Sequence, residues 1–426
     1  MRKTAVLLLL FVLSSFQMIN SVKASPLMWS QTYGGANTDA STSLVQSADG
    51  GYALVGFTYS FGNGDTDAWL VKTNEYGKME WNKTYGETES EEDATSLIQT
   101  LDGGYAFAGS KAKRTGPWSM EYDAWFVKTD ETGNTEWSKI YGGTGSDSFS
   151  SLIQTTDGDF VLAGSTTSFG AGEKDFWLIK TDSSGRTEWN RTYGTSGAET
   201  SPYGLVQTSD GGFALAGQSF PSGGVYCDSW LVKTDRYGNM EWDKTYGGPR
   251  MDYSTSLVQT ADGGFALAGC TDSSGAGGYN FWLIKTDRYG NVKWNRTYGT
   301  ENQDTNPSLV QTLDGGFAFA GYTNPDLADL MLVRTDGSGN VMWNQTYPGH
   351  AVSGLPSLVQ ASDGGFALAG AKGFRSVNSD DFWLVKTNEY GVVPEFPSWA
   401  VLPLFITTLL TVMVFRKKYR REAEPA

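Results

Sequence analysis

Ser256-Leu-Val-Gln-Thr260, Ala261-Asp-Gly-Gly264, Phe265-Ala-Leu-Ala-Gly269, Phe281-Trp-Leu-Ile-Lys-Thr286, Asp287-Arg-Tyr-Gly290 and Val292-Lys-Trp-Asn-Arg-Thr-Tyr298 follow one another within 43 residues. The first, third, fourth and sixth are short and rich in Val, Leu, Ile, Phe, Trp and Thr, which suits a pleated, half-buried strand. The second and fifth are Asp-Gly and Asp-x-x-Gly turns. The stretch therefore predicts four antiparallel strands, A to D, with tight turns between A and B and between C and D. In strand B, Phe265 and Leu267 face one side and Ala266 and Ala268 the other. Such a flat of small residues receives the aromatic side chains of a neighbouring sheet, so the recurring Trp, Phe and Tyr read as core between sheets.

The pattern recurs. Trp29, Trp81, Trp137, Trp189, Trp242, Trp294 and Trp343 each open a Trp-x-x-x-Tyr segment, at spacings of 52, 56, 52, 53, 52 and 49 residues. An Asp-Gly turn follows at the same phase each time, at Asp49, Asp102, Asp157, Asp210, Asp262, Asp314 and Asp363. Four short strands per repeat of about 50 residues describe a propeller blade. The first unit, Met28 to Tyr33, is a strand D with nothing before it. The last, Pro356 to Tyr390, has A, B and C but no D. The two fragments complete one blade, and an open array has no reason to split its repeat so. The expected fold is all-β: a single seven-bladed β-propeller of four-stranded blades over 28–391, its ring closed by the N-terminal strand.

Composition narrows the function. Hydrophobic residues are 39% and charged residues 19% of 426, enough for a core and too apolar for disorder. One His and two Cys exclude multi-His metal sites, arrays of zinc sites and a disulfide scaffold. The net charge of −15 argues against nucleic acid.

Both ends read as targeting segments. Met1-Arg2-Lys3, an apolar run from Ala5 to Phe16 and Val22-Lys23-Ala24 describe a signal peptide over 1–24. Trp399 to Phe415 is uncharged for 17 residues and is followed by Arg416, Lys417, Lys418, Arg420 and Arg421. It predicts a transmembrane helix over 399–415 with a basic cytoplasmic tail over 416–426 and the propeller outside. The exported part, 25–396, has 24 basic and 45 acidic residues, net −21. Between propeller and span, 392–398 holds Pro394-Glu395-Phe396. This motif, apolar stretch and basic tail, taken in order, resemble the PEF-type (PEF-CTERM-like) sorting signal of archaeal surface proteins. The resemblance covers Val393 to the end. It implies an archaeosortase-like partner that cuts near Pro394, Glu395 and Phe396 and leaves a lipid in place of the helix.

The repeat itself, Asp-Gly-Gly-Phe-Ala-Leu-Ala-Gly followed by Trp-Leu-Val-Lys-Thr-Asp-x-x-Gly-Asn-x-x-Trp, resembles an archaeal and bacterial surface-propeller type over 28–391. The turn before Trp is similar to the quinoprotein repeat with one residue fewer. A shared fold does not bring quinone chemistry with it.

The D-to-A and B-to-C connections are long and variable and share one face, where function is expected. Asp67, Asp123, Asp175, Asp228, Asp329 and Asp381 stand there, two residues before the strand C Trp or its Met331 replacement, and Asn280 fills the fifth place. Asp39, Asp93, Asp147, Asp252 and Asp304, with Glu199, precede strand A. Two readings stand: an acidic ligand-binding ring that takes Ca²⁺ or a cationic partner through oxygen, or carboxylates that cap their own loops. No other cofactor is expected. Lys72, Lys128, Lys180, Lys233, Lys285, Arg334 and Lys386 read as ion-pair partners inside the blades, and Gln46 with its six equivalents as satisfied amides. Asn82, Asn190, Asn295 and Asn344 begin glycosylation sequons on strand D. Cys227 and Cys270 lie on adjacent blades near the loop face. Export permits a disulfide between them; the alternative is two free thiols. His350 is the sole imidazole and no nucleophile pattern accompanies it, so no enzyme is expected. The expected function is a membrane-anchored cell-surface binding or adhesion module for protein or glycan. The alternatives are a carbohydrate-active enzyme using loop-face carboxylates and a structural envelope component.

Overall fold

The computed structural model describes residues 28–393 except 64, 115–119, 221–223, 300, 302, 324–328, 350–355 and 375–378. The signal peptide, Pro394-Glu395-Phe396, the span, the tail and His350 lie outside the described residues. Among the described residues there is no helix long and apolar enough to cross a membrane.

Seven antiparallel four-stranded sheets form the blades. In blade 5 the strands run Asp252–Gln259, Phe265–Thr271, Asn280–Thr286 and Val292–Tyr298, hydrogen-bonded in that order. Strand A begins four residues earlier than its apolar run suggests, because a bulge between Ser254 and Ser256 lets pairing continue outward. The turn between A and B closes on Gly263, whose φ of 76° suits a residue without Cβ.

The large-and-small alternation of strand B builds one core per blade interface. Phe265 and Leu267 pack with Ala214 and Ala216 of blade 4. Ala266 and Ala268 receive Phe317 and Phe319 of blade 6. Burying each large side chain stabilises by about 1.5–3 kcal/mol. Each strand D Trp lies against the first aromatic of the next blade's strand B, as Trp242 against Phe265 with ring centroids 5.9 Å apart. Each strand D Tyr hydroxyl donates to the C-to-D glycine carbonyl of the next blade, as Tyr246 to Gly290 at 2.7 Å.

The strand C bases are buried inside the blades. Lys72 Nζ donates to Asp49 at 2.6 Å, Glu80 at 2.9 Å and the carbonyl of Thr73 at 2.9 Å. The strand A glutamines tie neighbouring blades: Gln99 Oε1 accepts from Ala48 N, and Gln46 Oε1 from Ser362 N across the closing seam.

That seam is blade 7. Trp29–Tyr33 is its outermost strand and pairs antiparallel with Ser379–Lys386 from Trp29 opposite Lys386 to Tyr33 opposite Phe382. Ser41 Oγ donates to Gly370 O at 2.6 Å, and Leu44 N to Ser357 Oγ at 3.1 Å. The N-terminal strand thus closes the ring.

Candidate functional site

The ring aspartates do not stand free on the loop face. Asp67 and Asp175 are buried, and Asp123, Asp228, Asp329 and Asp381 are half-buried. Each lies in the loop-face end of strand C, where the backbone of the next blade is drawn in. Glu92 N donates to Thr66 O at 3.0 Å and Asp252 N to Cys227 O at 2.9 Å. This contact sets the strand C acid of one blade against the strand A acid of the next. A methyl group on Gly194 would lie 1.7 Å from Asp175 Oδ1 and 2.7 Å from Glu199 Oε2, so these two carboxylates meet across that glycine. Glycines 34, 86, 142 and 247 bridge Asp381 with Asp39, Asp67 with Glu92, Asp123 with Asp147 and Asp228 with Asp252 in the same way.

In each strand A acid one oxygen is well held. Asp147 Oδ2 accepts from Gly143 N at 2.9 Å and Ser168 Oγ at 2.6 Å. Glu92 Oε2, Asp147 Oδ1, Asp175 Oδ1 and Asp252 Oδ1 are buried without a hydrogen-bond partner. Facing carboxylates resist joint ionisation. Burial first, and then Asp147, Asp252 and Asp39 respectively, raise the carboxyls of Asp123, Asp228 and Asp381. Among the described residues no group of three or more His, Cys, Asp or Glu side chains is placed to hold a metal ion.

Asp93 is not a member of this ring. The expected strand A acid of blade 2 is replaced by Glu92, which pairs with Lys111 in the ladder as Asp39 pairs with Thr58 in blade 1. Asp93 is one residue on, so its side chain leaves by the opposite face of the sheet. It enters a cleft of about 360 Å³ on the loop face, walled by blades 2, 3 and 4. Ser110 N and Oγ both donate to Asp93 Oδ1 at 3.0 Å. Desolvation outweighs these bonds and raises the Asp93 carboxyl above the usual carboxylate range.

Across the cleft stands Lys174, the last residue before strand C of blade 3. Among the described residues no carboxylate pairs with it, and burial lowers its ammonium below the usual lysine range. Tyr122 and Tyr203 complete the walls, both with raised hydroxyls, chiefly through desolvation. Thr95, Ser150 and Tyr203 also line an axial cavity of about 360 Å³ ringed by strand A hydroxyls, so the cleft adjoins the axis. The cleft thus holds a desolvated carboxyl and a desolvated amine, each with its charged form disfavoured by burial.

The sequence held a signal for these residues. Lys174 occupies a place filled elsewhere by Thr66, Tyr122, Cys227, Tyr279, Ala328 and Asp380, and is its sole base. Tyr203 falls where other blades carry Ser, Thr or Pro. Blade 2 differs too: its first three strands, Ser90–Gln99, Tyr105–Arg114 and Met120–Thr129, each run 10 residues. The site lies where the repeat is broken.

The two cysteines are free and buried, so of the two readings the structure has two free thiols. Cys227 Sγ rests 3.7 Å from Asp252 O and 3.8 Å from Gln218 Oε1. Cys270 is held by the hydroxyl of Tyr253, its ladder partner on strand A. Each thiol thus has its own polar partner and its own packing site. Burial pushes Cys227 up to about 11 and Cys270 up to about 12. Without reductant, the native protein is expected to show no titratable thiol and the denatured protein two per chain; a zero after denaturation would restore the bridge. The sequon residues Asn82, Asn190, Asn295 and Asn344 are all exposed on strand D.

No protein-family model matches the chain, and no curated protein matches it by sequence. Many solved structures share its fold. An ulvan lyase of a new polysaccharide lyase family, bound to a glucuronate–sulfated rhamnose saccharide, aligns with a TM-score of 0.52 at 11% identity, over 84% of this chain and 96% of that one. Raptor of Chaetomium thermophilum aligns with a TM-score of 0.51 at 10% identity, over 87% of this chain and 29% of that one. The α-L-arabinanase of Penicillium chrysogenum, complexed with arabinobiose, gives 0.46 at 11% identity, over 86% and 100%. These likenesses establish the fold and no more. They nevertheless overturn the expectation that the chain is no enzyme. That expectation rested on the missing imidazole and nucleophile pattern, whereas the fold is shared with an enzyme, the lyase, so that pattern does not decide the question. The chain is a seven-bladed β-propeller, similar in fold to the lyase and to Raptor.

Proposed function

We propose that this propeller binds an extended saccharide across its D-to-A and B-to-C loop face and cleaves it in the cleft between blades 2, 3 and 4. The observation that carries this reading is the pairing of Asp93 and Lys174 in one cleft, each desolvated and without an opposite charge beside it. Asp93, whose burial favours the protonated form, serves as general acid to the leaving oxygen. Lys174, whose burial disfavours the charged form, serves as base toward water or a sugar carbon-bound proton. Tyr122 and Tyr203 offer rings with a polar tip, and the strand A hydroxyls offer hydrogen bonds to sugar oxygens.

The test is a glycan array on the full chain, followed by product analysis on whatever binds. New reducing ends identify hydrolysis and an unsaturated sugar identifies elimination. Asp93→Asn and Lys174→Met are each expected to lower turnover at least about 100-fold while leaving array binding in place. Binding without turnover in the wild type would leave an adhesion module. Absence of both would favour an envelope component.

In the same reading the chain is exported by 1–24 and held at the cell surface by 399–415, or by a lipid added near Pro394-Glu395-Phe396. Intact mass of the membrane-extracted protein decides between these: loss of 416–426 is expected from processing, and retention of that tail from a plain span.

A further inference from the structure

Strands A and C both run from the loop face to the opposite face, so the A-to-B and C-to-D turns share that second face. It has its own exposed apolar groups. Tyr76, Tyr237, Tyr289 and Tyr390 stand at the same place in the C-to-D turns of blades 1, 4, 5 and 7, each more than half exposed at 57, 55, 56 and 61%. Leu101 and Leu313, in the A-to-B turns of blades 2 and 6, are 73 and 92% exposed. On the loop face Phe61 and Phe169 lean on Trp69 and Trp177 at 5.2 and 5.8 Å, and the exposed apolar groups Val225 and Tyr226 sit together in one connection of blade 4 rather than around the ring. Among the described residues the four turn tyrosines meet no other aromatic ring. Arg236 and Arg288 stack beside Tyr237 and Tyr289, while Glu75 and Glu389 precede the other two.

The chain leaves the propeller from this turn face. Strand C of blade 7 ends at Lys386, and Asn388–Gly391 forms the seventh C-to-D turn. Tyr347 Oη donates to Gly391 O at 2.5 Å and Val393 packs on the core between blades 6 and 7, so the exit point is fixed. Only residues 394–398 separate it from the uncharged stretch that begins at Trp399. Five residues reach at most about 17 Å.

We infer that the turn face lies on the outer leaflet of the lipid bilayer, with the four tyrosines and two leucines at head-group depth and the saccharide cleft directed away from the membrane. This inference rests on the reading of 399–415 as the membrane span. Blades 7 and 1 adjoin, as do blades 4 and 5, and the two pairs stand on opposite sides of the ring, so contact at both lays the disc flat. Tyrosine is suited to this depth, with an apolar ring and a wet hydroxyl. The A-to-B turn aspartates do not oppose it strongly, because strand C bases neutralise them: Lys233 lies 2.9 Å from Asp210, Lys285 3.0 Å from Asp262 and Lys386 2.7 Å from Asp363. The C-to-D aspartates Asp235 and Asp287 are turned back onto the amides of their own turns.

The experiment uses the full chain reconstituted into vesicles of phosphatidylcholine and phosphatidylglycerol that carry a head-group nitroxide lipid. A fluorophore is placed by Tyr237→Cys, Tyr289→Cys or, on the loop face, Val225→Cys, a site 79% exposed. The two native thiols are buried and leave the label site-specific. Quenching at positions 237 and 289 is expected to exceed that at 225 by several-fold. Equal quenching at all three, or stronger quenching at 225, overturns the orientation. Retention of the protein through an alkaline wash reports separately on the span. Release by that wash overturns the inference through its premise, and retention with unquenched turn labels overturns the surface placement itself.

Discussion

Deleting Trp29–Tyr33 is expected to unfold the propeller rather than trim it. The strand supplies the backbone partners on the outer side of residues 382–386. Its loss turns that strand into an open edge. Tyr33 is buried, and its hydroxyl donates to Gly77 O at 2.6 Å. Trp29 lies with its ring centroid 5.8 Å from that of Tyr52 and donates from Nε1 to Glu75 O at 3.0 Å. Trp383 Nε1, inside blade 7, donates to Ser30 Oγ at 2.8 Å. Removing one large buried aromatic costs about 3–5 kcal/mol. Removing buried Tyr33 and half-buried Trp29 together, with five residues of ladder, is comparable to the whole stability of a domain, about 5–15 kcal/mol. The expected result in a circular-dichroism melt is loss of the cooperative transition, or a midpoint lower by more than about 10 °C. A midpoint within a few degrees of the intact chain would mean that the ring holds without its seam.

Gly164→Ala is expected to destabilise by about 3 kcal/mol, a large effect for one methyl group. Gly164 lies in strand B of blade 3, opposite the bulge between Phe149 and Ser151. The bulge brings strand A so close that a Cβ would stand 1.8 Å from Ser148 O and 2.8 Å from Phe149 Cα. Both are main-chain atoms, so no rotamer can relieve the clash and the two strands must separate. Gly158→Ala provides the contrast. Nothing lies within 4 Å of its Cβ position, but its φ is +92°. Only backbone strain applies, and about 1 kcal/mol is expected. Urea melts of the two variants should separate want of space from want of conformational freedom. Equal midpoints would refute the bulge argument.

The architecture was legible because a repeat states each decision seven times. The Asp-Gly turns, the large-and-small strand B and the Trp-x-x-x-Tyr strand recur with a period that leaves little choice of fold. The split unit at the two ends carried the closure. The buried bases of strand C were readable for a similar reason: a lysine repeated among apolar residues needs a partner, and the repeated turn aspartate was the nearest one. The extent of strand A was not readable. Its outer half is polar, and a bulge breaks the alternation that marks a strand. That same bulge hid the difference between Glu92 and Asp93. Counting back from the strand A leucine cannot tell which of two neighbouring acids faces the ring and which faces the cleft, because one unpaired residue exchanges the faces.

The sequence by itself determined the number of blades, their four strands, the two turn types and the strand that closes the ring. All of these follow from local propensity and alternation, properties of neighbours along the chain. Only the tertiary structure decided what the loop face can do. Asp93, Ser110, Tyr122, Lys174 and Tyr203 come from three blades, and more than 80 residues separate Asp93 from Lys174. Their chemistry depends on desolvation, which is a property of what surrounds a group in space. The same holds for Cys227 and Cys270: the sequence places them on adjacent blades, and packing alone seats each thiol against a different polar partner. The physical reason is the same in each case. Hydrogen bonding within a blade is nearly local in sequence, whereas burial of charge is set by interfaces between blades.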